Sequence, residues 1–161
     1  MSMEVKTNVM RILDAHKVSY KAYSYVGTGA LNGQEVATAL NQNPAQVFKT
    51  LVTVAKSGQH YVFMVPVCAE LDLKRAAAAV GEKAIDMLKM RDLLGLTGYV
   101  HGGCSPIGMK KQFKTVADAS AKKFNTIIFS AGRIGYQVEV ALTDLEMIIP
   151  VSFSDICVQQ S

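Results

Sequence analysis

The chain has 161 residues, of which 50% are apolar and 19% charged, and this composition excludes an intrinsically disordered protein and predicts one domain over residues 1–161. The formal net charge of +4 is too small to identify a polyanionic partner. No apolar run reaches the roughly 18–20 residues that cross a bilayer, and the N-terminus lacks a secretion signal, so the sequence predicts a cytoplasmic protein that does not enter a membrane.

The first third of the chain predicts three helices and a strand. Apolar residues at helical spacing predict a helix over 4–16, and alternating tyrosines predict a strand over 18–25. A glycine-rich loop over 27–33 leads to a short helix over 34–40. The run Asn43-Pro44-Ala45-Gln46 has the residue types of a helix N-terminus and predicts that another helix starts there.

The middle of the chain predicts a hairpin followed by a capped helix. Two β-rich runs, 50–55 and 60–67, are separated by a short polar turn and predict antiparallel strands. A helix over 73–80 is predicted from Asp72 as its N-cap and Gly81 as its stop.

The last part of the chain predicts two helices, a loop rich in glycine and two more strands. The pattern predicts a helix over 87–94, strands over 126–130 and 136–140, and a final helix that begins at a capping box over 143–146. The run 102–111 cannot be a regular helix or strand, because it contains three glycines and a proline. Helices and strands alternate without a strict βαβ rhythm, so the predicted fold is a mixed α/β (α+β) domain.

Cysteines and histidines are scattered, and their spacing predicts neither a disulfide framework nor a metal site or other cofactor. Cys104 follows His101 by three residues, but nothing in the sequence supplies the lowered pKa that a catalytic thiol needs. We therefore interpret Cys104 as a partly buried, inert residue.

Three polar clusters interrupt the apolar pattern, and each has two interpretations. Lys49 and Thr50 begin a strand, where a lysine can bind a phosphate or simply extend into solvent. The loop 102–108 fits an anion cradle or a tight connection, and Ser130-Ala131-Gly132-Arg133 fits a second set of donors or a hairpin turn. The motifs of serine hydrolases and of nucleotide-binding loops are missing from the sequence.

Together these clusters closely resemble the YbaK/EbsC family of aminoacyl-tRNA deacylases. The resemblance covers essentially the whole chain and rests on five motifs in register: Phe48-Lys49-Thr50-Leu51-Val52, Val65-Pro66, Glu70-Leu71-Asp72-Leu73-Lys74, the run from Thr97 to Lys111, and Ser130-Ala131-Gly132-Arg133.

The resemblance implies a mixed, partly barrel-like sheet surrounded by helices, in a freestanding relative of the editing domain of prolyl-tRNA synthetases. It also implies removal of a wrong amino acid from tRNA, typically cysteine from tRNA(Pro), with the substrate thiol attacking its own ester. Aminoacylated tRNA is the implied partner, and prolyl-tRNA synthetase is a further candidate. Two alternatives stay open: a deacylase that uses water on alanine, serine or another small residue, and a non-catalytic module that binds tRNA or a nucleotide.

The same comparison implies a set of site residues. Lys49 matches the essential lysine of the family and is the predicted catalytic residue. The predicted substrate-binding residues come from the strands and the two glycine loops: Tyr20, Thr50, Gly102, Gly103, Ser105, Pro106, Gly108, Ser130, Gly132 and Arg133.

Overall fold

A computed structural model describes residues 5–159, which form five α-helices, a short 3-10 helix and eight strands. The α-helices are α1 Asn8–Ala15, α2 Gly33–Ala39, α3 Leu73–Val80, α4 Met90–Thr97 and α5 Leu142–Ile148, and the 3-10 helix is Ala119–Lys123. The strands are β1 Tyr20–Ser24, β2 Phe48–Ala55, β3 His60–Pro66, β4 Ile85–Met87, β5 Thr115–Asp118, β6 Thr126–Ser130, β7 Tyr136–Ala141 and β8 Val151–Ser154.

The strands form two sheets. Five strands in the order β4-β2-β3-β5-β8 make a mixed sheet, because β4, β2 and β3 pair antiparallel while β5 pairs parallel with both β3 and β8. Three strands in the order β1-β7-β6 make an antiparallel sheet. The predicted mixed α/β fold is confirmed.

One isolated bridge joins the two sheets. Val47, just before β2, pairs with Ile128 of β6, and the amide of Ile128 donates to the carbonyl of Gln46 at 3.1 Å. The arrangement resembles a barrel along this side, but the sheets do not close into one. The start of β2 therefore lies where the two sheets meet.

The largest apolar cluster lies between the sheets and beneath α1. Val9 and Leu13 of α1 are fully buried there, and Phe48 of β2 and Phe129 of β6 are nearly so. A smaller cluster lies under α3, where Ala76 covers the other face of the five-stranded sheet. Burying such apolar surface is the main force that holds the elements together.

Locally encoded elements are confirmed. The predicted hairpin is β2 and β3, paired from Phe48 opposite Pro66 to Val54 opposite His60. Helix α3 begins where predicted, because Asp72 accepts hydrogen bonds from the amides of the first turn, and it ends at Gly81, whose φ of 72° is left-handed.

Three predicted boundaries are wrong because tertiary contacts override the local signals. The run 43–46 makes one turn, closed by the Gln46 amide on the Asn43 carbonyl at 2.9 Å, and then Val47 enters the sheet bridge. The helix predicted over 87–94 begins at Met90, because Met87 belongs to β4 and pairs with Thr53 of β2.

The capping box over 143–146 does not form either. Helix α5 follows β7 directly, with Ala141 at the N-cap and no side-chain cap bond. At the other end of the chain, the predicted helix over 4–16 is observed as α1, and Glu4 lies outside the described residues. None of the helices within residues 5–159 has the length and apolarity needed to cross a membrane.

Candidate functional site

A cavity of about 1150 Å³ opens where the two sheets meet. Its floor is the start of β2, and its walls are the segment 30–36 around the start of α2, the first turn of α4, and the two glycine loops. Pockets for drug-sized ligands are about 300–1,000 Å³, so this cavity has room for a nucleoside that carries an amino acid.

Lys49 and Thr50 both line this cavity. The strand β2 fixes them, since they lie opposite Val65 and Met64 of β3. The Thr50 hydroxyl is buried, and within the described chain it has no hydrogen-bond partner. A buried polar atom without a partner is rare in native proteins, and this one belongs to a residue that lines the cavity.

A pair of glutamines lies on the β7 side of the cavity. Gln137 is 5% exposed and lines the cavity. Its Oε1 accepts a hydrogen bond from Gln42 Nε2 at 2.9 Å, and no described residue bonds to its own amide nitrogen. Gln137 is therefore a second polar group that can reach a ligand.

The first glycine loop packs around Tyr99, which is 9% exposed. The Tyr99 hydroxyl donates to the Ile107 carbonyl. Gly108 has a φ of 84°, and a Cβ there would lie 2.8 Å from the Tyr99 hydroxyl and 3.1 Å from Ile12 of α1. Gly108 is thus required for the loop to lie against this tyrosine and against α1.

The second glycine loop packs on the same tyrosine. Gly132 has a φ of 90°, and a Cβ there would lie 3.0 Å from both Tyr99 and Val9. At Gly103 a Cβ would lie 3.1 Å from the backbone nitrogen of Ile134, so the two loops touch backbone to backbone. The two loops and α1 therefore form one packed unit beside the cavity.

Most of the predicted loop residues serve this packing. Among the described residues the cavity is lined by Gly102 and Ser130, together with Lys49 and Thr50, and not by the other predicted loop residues: Gly103, Ser105, Pro106, Gly108, Gly132 and Arg133.

Backbone amides of these loops already donate hydrogen bonds within the protein. The Gly103 amide donates to Val100, and the Gly132 amide donates to the Ser130 hydroxyl at 3.1 Å. Ser105 is fully buried and accepts a hydrogen bond from the Ile107 amide. These hydrogen bonds hold the two loops in shape.

Arg133 and Tyr20 lie outside the lining for different reasons. Arg133 is exposed at the rim, and its guanidinium carbon lies 5.6 Å from the ring centre of Tyr136, which does line the cavity. Tyr20 of β1 pairs with Val140 of β7 and lies near Asp14 of α1. Burial and the Asp14 carboxylate raise the pKa of Tyr20, and the cavity lies elsewhere.

Comparison with known proteins adds to this geometry. The model of the aminoacyl-tRNA editing domain matches residues 29–148. The EbsC protein of Enterococcus faecalis, a proposed Cys-tRNA(Pro)/Cys-tRNA(Cys) deacylase, is 46% identical over 137 residues, which cover 84% of each chain. The chain belongs to the aminoacyl-tRNA editing domain family. This confirms the resemblance found in its sequence motifs.

Two further comparisons place the editing domain among its relatives. A proline–tRNA ligase of Kosmotoga olearia is 28% identical over 117 residues, which are 72% of this chain and 20% of that one. The crystal structure of a proposed trans-editing enzyme for prolyl tRNA synthetase superposes with a TM-score of 0.81 at 20% identity, over 96% of this chain and 100% of that one. At that identity the superposition shows a shared fold.

In this editing domain Cys104 and His101 also line the cavity. Cys104 is 9% exposed, and burial raises the pKa of its thiol to about 12. No charge or hydrogen bond from His101 contributes to that shift. Thiolates are the nucleophilic form of cysteine, so the raised pKa disfavours a nucleophilic role for Cys104.

A second cysteine of the editing domain lies near Lys49. Burial and the carboxylate of Asp118 raise the pKa of Cys157 to about 12, and the positive charge of Lys49 acts against that rise. The lysine side chain is thus close enough to the C-terminal segment to influence it. Within residues 5–159 there is no group of three or more histidine, cysteine, aspartate or glutamate side chains placed to hold a metal ion.

Gln137 is the site residue of this editing domain that sequence reasoning missed. It occupies an alternating strand position, where a polar residue is ordinarily solvent-facing. Its partner Gln42 is 95 residues away in sequence. The signal available in the sequence was the glutamine itself, within the strand predicted over 136–140.

Proposed function

We propose that this protein is a cytoplasmic trans-editing deacylase that removes cysteine from Cys-tRNA(Pro). Two findings support the proposal: membership of the aminoacyl-tRNA editing domain family, and 46% identity to EbsC over most of both chains. The observation that carries it is the cavity, which offers Lys49 and Thr50 to a ligand but contains a thiol whose pKa is about 12.

Among the described residues of the wall, the one thiol has a raised pKa, which supports the substrate's own thiol as the nucleophile. The cysteinyl sulfur attacks the ester carbonyl, and a carbon–sulfur bond forms while the carbon–oxygen bond to the ribose breaks. The thiol proton passes to the departing ribose oxygen, which leaves a cyclic thiolactone and free tRNA. Such an intramolecular attack needs little beyond correct positioning of the reacting groups.

The cavity residues then have positioning roles. Lys49 holds the phosphate or ribose of the terminal adenosine, since an ammonium group binds phosphate as a point charge. The Thr50 hydroxyl has a free proton for an oxygen of the substrate. The wall at Gly102 and Ser130 lies against the aminoacyl ester.

The test is release of amino acid from tRNA(Pro) charged with cysteine, alanine or serine. We expect release of cysteine well above the buffer rate and much slower release of the other two. Faster release of alanine or serine would indicate attack by water, and no release of any of the three would leave a non-catalytic module.

Lys49→Ala tests the site within the same assay. We expect kcat/KM for Cys-tRNA(Pro) to fall by about 10- to 150-fold, since a hydrogen bond to a charged group contributes about 1.5–3 kcal/mol. Lys56→Ala is the matched control, because Lys56 is exposed in the turn of the same hairpin and does not line the cavity. A Lys49→Ala protein as active as the control would contradict the assignment.

Association with prolyl-tRNA synthetase is part of the proposal. The similarity to a proline–tRNA ligase segment supports a link between the two. We expect added synthetase to sharpen discrimination among cysteine-charged tRNAs, and equal discrimination with and without it would refute the association.

A further inference from the structure

The net positive charge of this protein comes from one segment. Residues 89–114 carry five cations against one carboxylate, Asp92, and so account for the whole net charge of +4. The remaining 12 cations and 12 carboxylates cancel. The five cations are Lys89, Arg91, Lys110, Lys111 and Lys114.

All five cations are exposed, and none of them forms an ion pair with a described residue. The ion pairs within residues 5–159 involve Lys6 and Arg75 instead. Exposed cations without carboxylate partners give a surface a positive potential that attracts anions.

This segment adjoins the mouth of the cavity. Lys89 and Arg91 flank Met90, which lines the cavity and is 66% exposed. Helix α4, about 12 Å long from its eight residues, lies between these two cations and those of residues 110–114. At its far end, Lys110 Nζ donates to the Gly95 carbonyl at 3.3 Å.

Lys110 is also fixed by its backbone, since its amide donates to the Thr97 carbonyl at 3.0 Å. Lys111, the next residue in the chain, lies beside Phe113, with its Nζ 6.0 Å from the centre of the phenylalanine ring. Glu35, from the segment around the start of α2, is a carboxylate that lines the cavity. The cations thus lead away from the mouth on one side.

We infer that the surface formed by α4 and residues 110–114, here called the α4 face, binds the RNA backbone next to the nucleotide held in the cavity. The inference rests on the proposed function. An amino acid esterified to the 3′ end of an RNA can enter the cavity only if the preceding phosphates lie outside its mouth. Phosphate contacts of this kind orient an RNA without reading its sequence.

Binding of uncharged tRNA(Pro), measured by fluorescence anisotropy at several salt concentrations, tests this surface without requiring catalysis. Two double variants remove charge and keep a polar side chain: Lys110→Gln with Lys111→Gln, and Lys89→Gln with Arg91→Gln. The matched control, Lys56→Gln with Lys74→Gln, removes the same charge from exposed positions outside the α4 face. Thermal unfolding of each variant verifies that it is folded.

We expect each α4-face variant to reduce the logarithmic salt slope by about 1.4–1.8, since each lost phosphate contact contributes about 0.7–0.9. At 0.15 M salt this slope corresponds to a loss of affinity of about 20-fold. The control should stay within about twofold of the unmodified protein, because its cations lie away from the proposed RNA path.

Equal losses in the control and α4-face variants would overturn the inference, as would unchanged affinity and slope in both α4-face variants. Because only one of these variants alters Lys110, which also contacts α4, the other keeps the test valid if the first is unstable. Deacylation of Cys-tRNA(Pro) by the unmodified protein separates the two proposals. Its absence refutes the proposed function while the binding data still decide the surface.

Discussion

Replacing Gly132 by alanine tests whether the glycine loops are held by packing on Tyr99. Gly132 has a φ of 90°, and an added Cβ would lie 3.0 Å from the Tyr99 ring and 3.0 Å from Val9. Both neighbours belong to the buried core, so neither can withdraw into solvent.

The expected cost has two parts. A left-handed backbone costs a non-glycine residue about 1–2 kcal/mol, and overpacking a filled site costs about 1–3 kcal/mol more. Gly132→Ala should therefore lower the free energy of unfolding by about 2–5 kcal/mol. Gly29→Ala is the control, because Gly29 has a φ of 78° with open space around its Cβ position, and it should lose the backbone cost alone.

Urea denaturation of the two variants beside the unmodified protein measures both costs. The Gly132 variant should unfold at a clearly lower urea concentration than the Gly29 variant, with a similar dependence on urea. If the two variants lose the same stability, the packing of this loop on Tyr99 and α1 is not what requires glycine at position 132.

Two more predictions follow from buried groups in the cavity wall. Thr50→Val removes a buried hydroxyl without a described partner, so the free energy of unfolding should stay the same or rise by about 1–3 kcal/mol. Deacylation of Cys-tRNA(Pro) should become slower. A loss of stability would show that the hydroxyl forms a hydrogen bond. Burial raises the pKa of Cys104 from 9.0 to about 12, so its stabilising contribution is complete below pH 9 and is lost as the pH rises toward 12. Between pH 8 and pH 10 the unmodified protein should lose about 1.4 kcal/mol more stability than Cys104→Ala, and parallel losses in urea titrations would contradict the raised pKa.

Elements defined by neighbouring residues were predictable from the sequence. Helix α3 has both of its limits encoded locally, by Asp72 and Gly81. The hairpin of β2 and β3 is similar, since its turn and its alternating residues are contiguous in the chain. By contrast, the run 43–46 has good helix-starting residues but is overridden by the pairing of Val47 with Ile128, 81 residues later.

The candidate site could be predicted only in part from the sequence. Lys49, Thr50, Gly102 and Ser130 do line one cavity, and their family motifs identified them. The glycines at 108 and 132 were visible in the sequence, but the sequence does not show that Tyr99 fills the space a Cβ would occupy. Whether a glycine serves a ligand or a neighbouring ring is decided by residues distant in the chain.

The position of α1 bears on how this domain can be divided. The family match covers residues 29–148, yet Val9 and Ile12 of α1 lie directly against Gly132 and Gly108. The support of both loops thus comes from a stretch of chain that the match leaves out. A protein trimmed to the matched residues would keep Lys49 and lose the helix against which both loops pack, so we expect it to be less stable than the longer chain.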